Sequence, residues 1–210
     1  QSCCAHHGKY VNTWMHSGMV QVDKVKMSKS LNNFFTIKDV LDVYDSESVR
    51  YFLISGHYRS QLNYSIDNLD AAKTALTRLY QAISELDTDM NYIPQTDNNY
   101  IKRYDLVMAD DFNTPEAIAI LFELAHIVNR KKQAKEDCMI EVNTLMFLAK
   151  RLGLLYQNVG DFFKGTAENS QQIDKLVKQR EQARSDKNWV LADQIRDQLA
   201  VDGIEILDGT

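Results

Sequence analysis

Lys26-Met27-Ser28-Lys29-Ser30 is the stretch of this chain best equipped for chemistry. Two ammonium groups alternate with small hydroxyl side chains within five residues. On a loop, such a set can close over a triphosphate. An ammonium there meets the charge that grows on the phosphates as pyrophosphate leaves. Ser28 and Ser30 can donate hydrogen bonds to oxygens. This chemistry is electrostatic stabilisation of a phosphoryl- or nucleotidyl-transfer transition state. Composition alone does not separate it from a solvated lysine- and serine-rich turn.

A second cluster, Cys3-Cys4-Ala5-His6-His7, holds metal-ligand types. Structural zinc sites usually space paired ligands two to four residues apart, whereas these are adjacent and point different ways. No second ligand pair follows downstream. The cluster is therefore expected to pack, or to lie near a functional pocket, without binding metal.

The elements around the loop are mainly helical. Two prolines and eight glycines in 210 residues favour long uninterrupted helices. Residues 9 to 25 are the exception. Tyr10, Val11, Trp14, Met19, Val20, Val22 and Val25 predict an extended stretch broken by Gly18, and residues 24 to 30 predict a loop.

Thr36 then opens a helix, with Asp39 completing an approximate capping box. Asp45 or Ser46 starts the next, with Val49, Phe52 and Leu53 on one face and Gly56 near its end. Ser65 caps a long third helix. Its seam of Leu69, Ala72, Leu76, Leu79, Ile83 and Leu86 alternates three- and four-residue steps.

Residues 87 to 99 form a polar linker, and another helix is expected near Tyr100. Thr114-Pro115 predicts an N-cap followed by a first-turn proline, ahead of the stripe Ile118, Leu121, Phe122, Ala125 and Val128. Residues 143 to 155 supply one more helix, ending near Gly153. A polar stretch from 160 to 172 marks a domain boundary. Residues 173 to 186 and 188 to 200 read as a helical pair. Gly203 ends the pair, and residues 204 to 207 are a short strand signal.

Charge and composition bound the function. Hydrophobic residues make up 44% and charged residues 25%, an ordinary globular balance. No apolar run approaches the roughly 18 to 20 residues of a membrane span. Three cysteines suit a reducing cytosol. No leader is legible in Gln1-Ser2-Cys3-Cys4, and the missing initial Met suggests a piece of a longer protein. A net charge of −5 lacks the basic excess of non-specific nucleic-acid binders. Any RNA contact should use local basic patches and shape.

The literal Lys26–Ser30 string resembles the signature KMSKS loop of class I aminoacyl-tRNA synthetases. Trp14 to Val20 precedes it at the right distance, and Leu31-Asn32-Asn33-Phe34 follows. Three further strings narrow the resemblance to the cysteinyl-tRNA synthetases. They are residues 55 to 64 (SGHYRSQLNY), residues 110 to 117 (DDFNTPEA), which resemble a helix start in a DALR-type bundle, and residues 1 to 6 (QSCCAH). The resemblance covers essentially the whole chain, beginning just after the family's zinc site.

The resemblance implies a two-step reaction. Cysteine and ATP give cysteinyl-adenylate and pyrophosphate, with Mg2+ as the companion ion. The cysteinyl group then passes to tRNA(Cys). It makes Lys29 the principal ATP-contacting residue, with Lys26 in support and Ser28 and Ser30 shaping the loop. Trp14, His16, Gly18, Met19 and Val20 would border the adenosine. The HIGH signature and the zinc ligands that select the cysteine thiolate would lie upstream, so no metal ligand is assigned in this chain.

For the anticodon GCA the resemblance assigns Arg184, Trp189, Asp193 and Asp208. Trp189 offers a stacking face and Arg184 a planar fork suited to guanine. Lys102, Arg103, Arg130, Lys131 and Lys132 either meet tRNA phosphates or form a solvated face. Asn33 stands where relatives often carry glycine, and asparagine also tolerates left-handed backbone.

The expected fold is therefore mainly α: the end of a nucleotide-binding catalytic domain with short strands, an antiparallel helical bundle, and a small C-terminal α/β element. The expected divisions are residues 1–35 with the loop, 36–68 as stem-contact helices, 69–165 as the bundle, and 170–210 for anticodon recognition. A cytoplasmic monomer, inactive as this piece alone, is expected. The rivals are a ligase joining cysteine to an amino sugar, and a tRNA-binding module without catalysis.

Overall fold

A computed structural model describes residues 11–31, 33, 36–86, 98–164, 167–186 and 188–201. The metal-type cluster at residues 3 to 7, most of the 87–99 linker, the 204–207 strand signal and Asp208 lie outside them. Contacts divide the chain into two units, one ending at Tyr156 and one starting at Gln157.

The first unit opens on a small sheet. Strand β1 (Val20–Val22) pairs antiparallel with β2 (Val25–Lys26) and parallel with β3 (Leu62–Tyr64), in the order β2-β1-β3. The expected single extended run is thus a hairpin, and its break falls at Asp23-Lys24, not at Gly18. Both turn residues take positive φ, 49° and 64°. A two-residue hairpin turn of the I′ type demands this of its central pair, and glycine usually meets that demand. Here β3 holds the turn instead. Asp23 N–H donates to the Tyr64 carbonyl (3.1 Å), and Lys24 N–H donates to Asn63 Oδ1 (2.6 Å).

Gly18 is needed for another reason. Its N–H donates to the Tyr58 carbonyl at 2.7 Å, and an added Cβ would sit 1.9 Å from the Ser60 carbonyl oxygen. Backbone cannot yield as a side-chain tip can. Gly18→Ala is expected to destabilise the unit by about 1–3 kcal/mol. Urea denaturation checks this, and an unchanged midpoint would mean that the two segments separate freely.

The helices follow their caps. Thr36 caps α1 (Ile37–Leu41) in a full capping box with Asp39. Thr36 N–H, and to a lesser degree its hydroxyl, hold the Asp39 carboxyl below its ordinary range. Asp45 caps α2 (Ser46–Ser55), and Ser65 caps α3 (Ile66–Ile83). Asn98 caps α4 (Asn99–Ala109). The cap of α5 (Thr114–Ala134) is Asn113, one residue before the expected Thr114. Asparagine is at least as good a cap, and the shift still leaves Pro115 in the first turn, where no N–H is needed.

Helix α6 (Met139–Arg151) starts four residues before the expected position. Its Cys138 N-cap makes no side-chain bond, but Asp137 Oδ1 accepts from Met139 N–H (3.0 Å). At its other end Gly153 (φ 71°) closes a Schellman motif. Gly153 N–H donates to Lys150 and Leu154 N–H to Ala149.

The core of this unit lies among α2, α3, α5 and α6. Leu69, Leu76 and Leu79 of α3 are fully buried, as are Leu121 and Leu124 of α5 and Leu145 and Leu148 of α6. Burying each such leucine contributes about 2 kcal/mol. The seam of α3 matches its expected positions, except that Leu86 lies past the helix end at Ile83. The face of α2 matches only in part: Phe52 is buried as expected and Val49 is half-buried. Leu53 is 53% exposed, while Glu47, Ser48, Tyr51 and Phe52 are buried. Hydropathy selects Leu53; the partners of Glu47 set the actual orientation.

The second unit contains α7 (Val159–Lys164), α8 (Ala167–Ser185) and α9 (Trp189–Val201). The polar 160–172 stretch, read as a domain boundary, is helical over most of its length. Helices α8 and α9 pack against each other, with Ala183, Ala192, Ile195 and Leu199 buried. Asn188 caps α9, its Oδ1 accepting from Leu191 N–H (3.3 Å). Among the described residues no helix is long and apolar enough to cross a membrane.

Candidate nucleotide loop and nucleic-acid interface

The hairpin brings the two halves of the expected nucleotide site together. Gln21 of β1 pairs with Lys26 of β2, so the strand led by Gly18, Met19 and Val20 lies beside the start of the loop. Met19 and Val20 are exposed, as are Trp14 and His16 on the preceding irregular stretch. An open face is thus available along residues 14 to 20.

The loop is less irregular than expected. Val25 and Lys26 belong to β2, and Lys29–Leu31 form a 3-10 turn. Ser28 caps that turn: its Oγ accepts from Leu31 N–H at 3.3 Å and lies 3.1 Å from Ser30 Oγ. Both serines therefore organise backbone and each other. A residue without an assigned role closes the loop. Asn33 Oδ1 accepts from Ser28 N–H (2.8 Å), and Asn33 Nδ2 donates to the Lys26 carbonyl (3.1 Å). An asparagine just past a polar loop was the available signal.

A buttress behind the sheet ties it to the helices. Tyr58 OH donates to Asp111 Oδ1 (2.7 Å), and Arg59 Nε donates to Tyr58 OH (2.8 Å). Arg59 also meets both Asp111 oxygens, at 2.9 and 3.1 Å. Tyr58 and then Asp111 push the Arg59 guanidinium above its ordinary value. Asp111 and Phe112 both sit at φ 55°. The His57–Ser60 segment that accepts from Gly18 is thereby fixed to the corner between α4 and α5. Two of the strings that carry the sequence resemblance, at 55–64 and 110–117, meet here.

The bundle's basic residues are largely engaged within the fold. Arg103 makes a bidentate pair with Glu123 at 2.7 and 2.9 Å, which lowers the Glu123 carboxyl and raises the guanidinium. Lys131 Nζ reaches Glu141 Oε1 at 2.7 Å, and Lys132 Nζ donates to the Ser84 carbonyl at 2.9 Å. These three hold helices and their ends together. Arg130 and Lys102 are exposed.

In the second unit, Arg184 is the penultimate residue of α8 and Trp189 the first of α9. They flank one interhelical turn, and Asp193 follows a helical turn later. All three are exposed, Trp189 by 59%. Arg196 joins them: its NH1 is 3.0 Å from Asp193 Oδ1. The i,i+3 spacing of Asp193 and Arg196 was the signal for this pair.

Among the described residues no cluster of three or more His, Cys, Asp or Glu side chains is arranged to hold a metal ion.

Comparisons with known proteins bear on both regions. Residues 1–74 match the family of tRNA synthetases class I (C) catalytic domains, and residues 103–157 match the DALR domain. The cysteine–tRNA ligase of Vibrio parahaemolyticus is 53% identical over 213 residues, covering all of this chain and 46% of that protein. The ligase of Vibrio cholerae is 52% identical and that of Shewanella sediminis 50%, each with the same coverage. The chain thus spans about half the length of the curated relatives it matches.

Proposed function

We propose that this chain, which belongs to the class I family of cysteine–tRNA ligases, supplies the KMSKS loop and the tRNA-binding domains of an enzyme that attaches cysteine to tRNA(Cys). Cysteine's carboxylate attacks the α-phosphate of ATP, giving cysteinyl-adenylate and pyrophosphate. A terminal ribose hydroxyl of the tRNA then takes the cysteinyl group. The chain's part is positioning and charge stabilisation.

One observation carries this reading. A serine-capped turn containing Lys29 springs from the same hairpin that carries exposed Met19 and Val20 at its leading edge. Lys29 and Lys26 then neutralise charge on the departing diphosphate with its Mg2+. Trp14, His16, Gly18, Met19 and Val20 border the adenosine. A zinc ion held by residues outside this segment would select the cysteine thiolate, because a soft sulfur ligand suits zinc better than a serine hydroxyl does.

Residues 1–35 complete the catalytic domain and 36–68 supply stem-contact and connecting helices. Residues 69–165 form the bundle, and 170–210 read the anticodon through Arg184, Trp189, Asp193 and Asp208. We place the complete protein in the cytoplasm as a monomer.

The complete polypeptide should catalyse cysteine-dependent ATP–pyrophosphate exchange. Exchange that is equal with serine, or absent with cysteine, would remove the reading. Trp189→Ala should weaken tRNA(Cys) by about 1–3 kcal/mol, the worth of one base–aromatic stack. Filter binding tests this, and unaltered affinity would take Trp189 out of the interface. The amino-sugar alternative is not favoured, because the DALR match at 103–157 belongs to a tRNA-binding architecture.

A further inference from the structure

We infer that Asn33 is a positioning residue for the nucleotide step, its side-chain amide pre-ordering the Lys26–Ser30 loop before ATP arrives; this rests on the nucleotide-binding reading proposed above. The geometry is a closed ring. The Asn33 amide donates to the Lys26 carbonyl and accepts from the Ser28 N–H, at 3.1 and 2.8 Å. It thereby straddles Met27 and fixes the backbone on both sides of it. Ser28 passes the constraint forward, because its Oγ accepts from Leu31 N–H. Lys29 therefore lies in a backbone turn anchored at both ends: at one by the Asn33 amide, at the other by the Ser28 hydroxyl.

The chemistry of the amide suits this task. One planar group offers a donor and an acceptor together. A carboxylate could satisfy Ser28 but not the Lys26 carbonyl, and an aliphatic side chain could satisfy neither. Both bonds go to main chain and use none of the loop's lysine or serine side chains. A loop already ordered spends less conformational freedom on closing over a ligand. The expected consequence is on nucleotide affinity, with the chemical step largely spared.

The test uses the complete polypeptide, with Asn33→Ala beside the parent. Two net hydrogen bonds on a half-buried loop correspond to about a tenfold effect. Amide hydrogen exchange at Ser28, without ligand, should quicken by about tenfold. KM for ATP in cysteine-dependent pyrophosphate exchange should rise about five- to tenfold. kcat, KM for cysteine and the melting temperature should stay where they were. Unchanged exchange at Ser28 would show that the bridge does not order the loop. Faster exchange at Ser28 with an unchanged KM for ATP would show that the ordering is irrelevant to nucleotide. Either result overturns the inference while parent activity stands. A parent that neither binds ATP nor supports exchange would overturn the functional reading beneath it, whatever Ser28 does.

Discussion

Lys29→Ala in the complete polypeptide is expected to slow cysteine-dependent ATP–pyrophosphate exchange by roughly 10²- to 10³-fold, the cost of one well-placed transition-state donor. The effect should fall on kcat. On the proposed reading the ammonium meets charge that grows as the bond to pyrophosphate breaks, and interactions realised only in the transition state raise kcat. Binding of tRNA(Cys) should be spared, because the residues assigned to the anticodon belong to the other unit. Lys29→Arg should recover little, since a planar fork does not replace a compact point charge. Single-turnover formation of adenylate checks this directly. An unchanged activation rate in Lys29→Ala would remove Lys29 from the mechanism and return the loop to an ordinary solvated turn.

The second large effect is on stability. Glu47 is fully buried near the start of α2. Tyr80 of α3 donates its hydroxyl to Oε2 at 2.9 Å, and the Leu155 N–H donates to Oε1. Leu155 follows α6 and holds a positive φ of 55°. That conformation costs a β-carbon-bearing residue roughly 1–2 kcal/mol, and the carboxylate helps to hold it. One side chain thus ties two helices to the turn that ends a third. Glu47→Ala would remove the carboxylate that accepts from both donors and is expected to cost about 3 kcal/mol, with urea denaturation as the measurement. Glu47→Gln should recover about half, because its amide oxygen can satisfy only one donor while its NH2 faces the other. Equal stability of parent and Glu47→Ala would show that water replaces the carboxylate there.

The Glu47 substitution acts in the core among α2, α3 and the turn after α6, and Glu47 is not among the residues assigned to the nucleotide. It should therefore lower activity only in proportion to the folded fraction. Asn33→Ala and Lys29→Ala should do the reverse. This contrast separates a residue that holds the scaffold from residues proposed to order the loop or meet the nucleotide.

What the sequence determined by itself was local or literal. Thr36 with Asp39, Asp45, and Ser65 announced three helix starts, because a cap needs only residues within one turn of it. The seam from Leu69 to Ile83 announced the core face of α3, because helical periodicity is written within the helix. The Lys26–Ser30 string, with the strings at 55–64 and 110–117, announced the family through resemblance, because such motifs are written literally in the chain.

Only the tertiary structure decided the rest, and in each case the decisive partners are far apart in the chain. Asp23-Lys24 turns because Tyr64 and Asn63 hold it. Gly18 is required because Ser60 crosses it. Tyr58 and Arg59 find Asp111, and Glu47 finds Tyr80 and Leu155. Hydropathy placed Leu53 inside and gave Glu47 no reason to be there, since an isolated buried carboxylate is costly. Two donors brought in from 33 and 108 residues away reverse that balance.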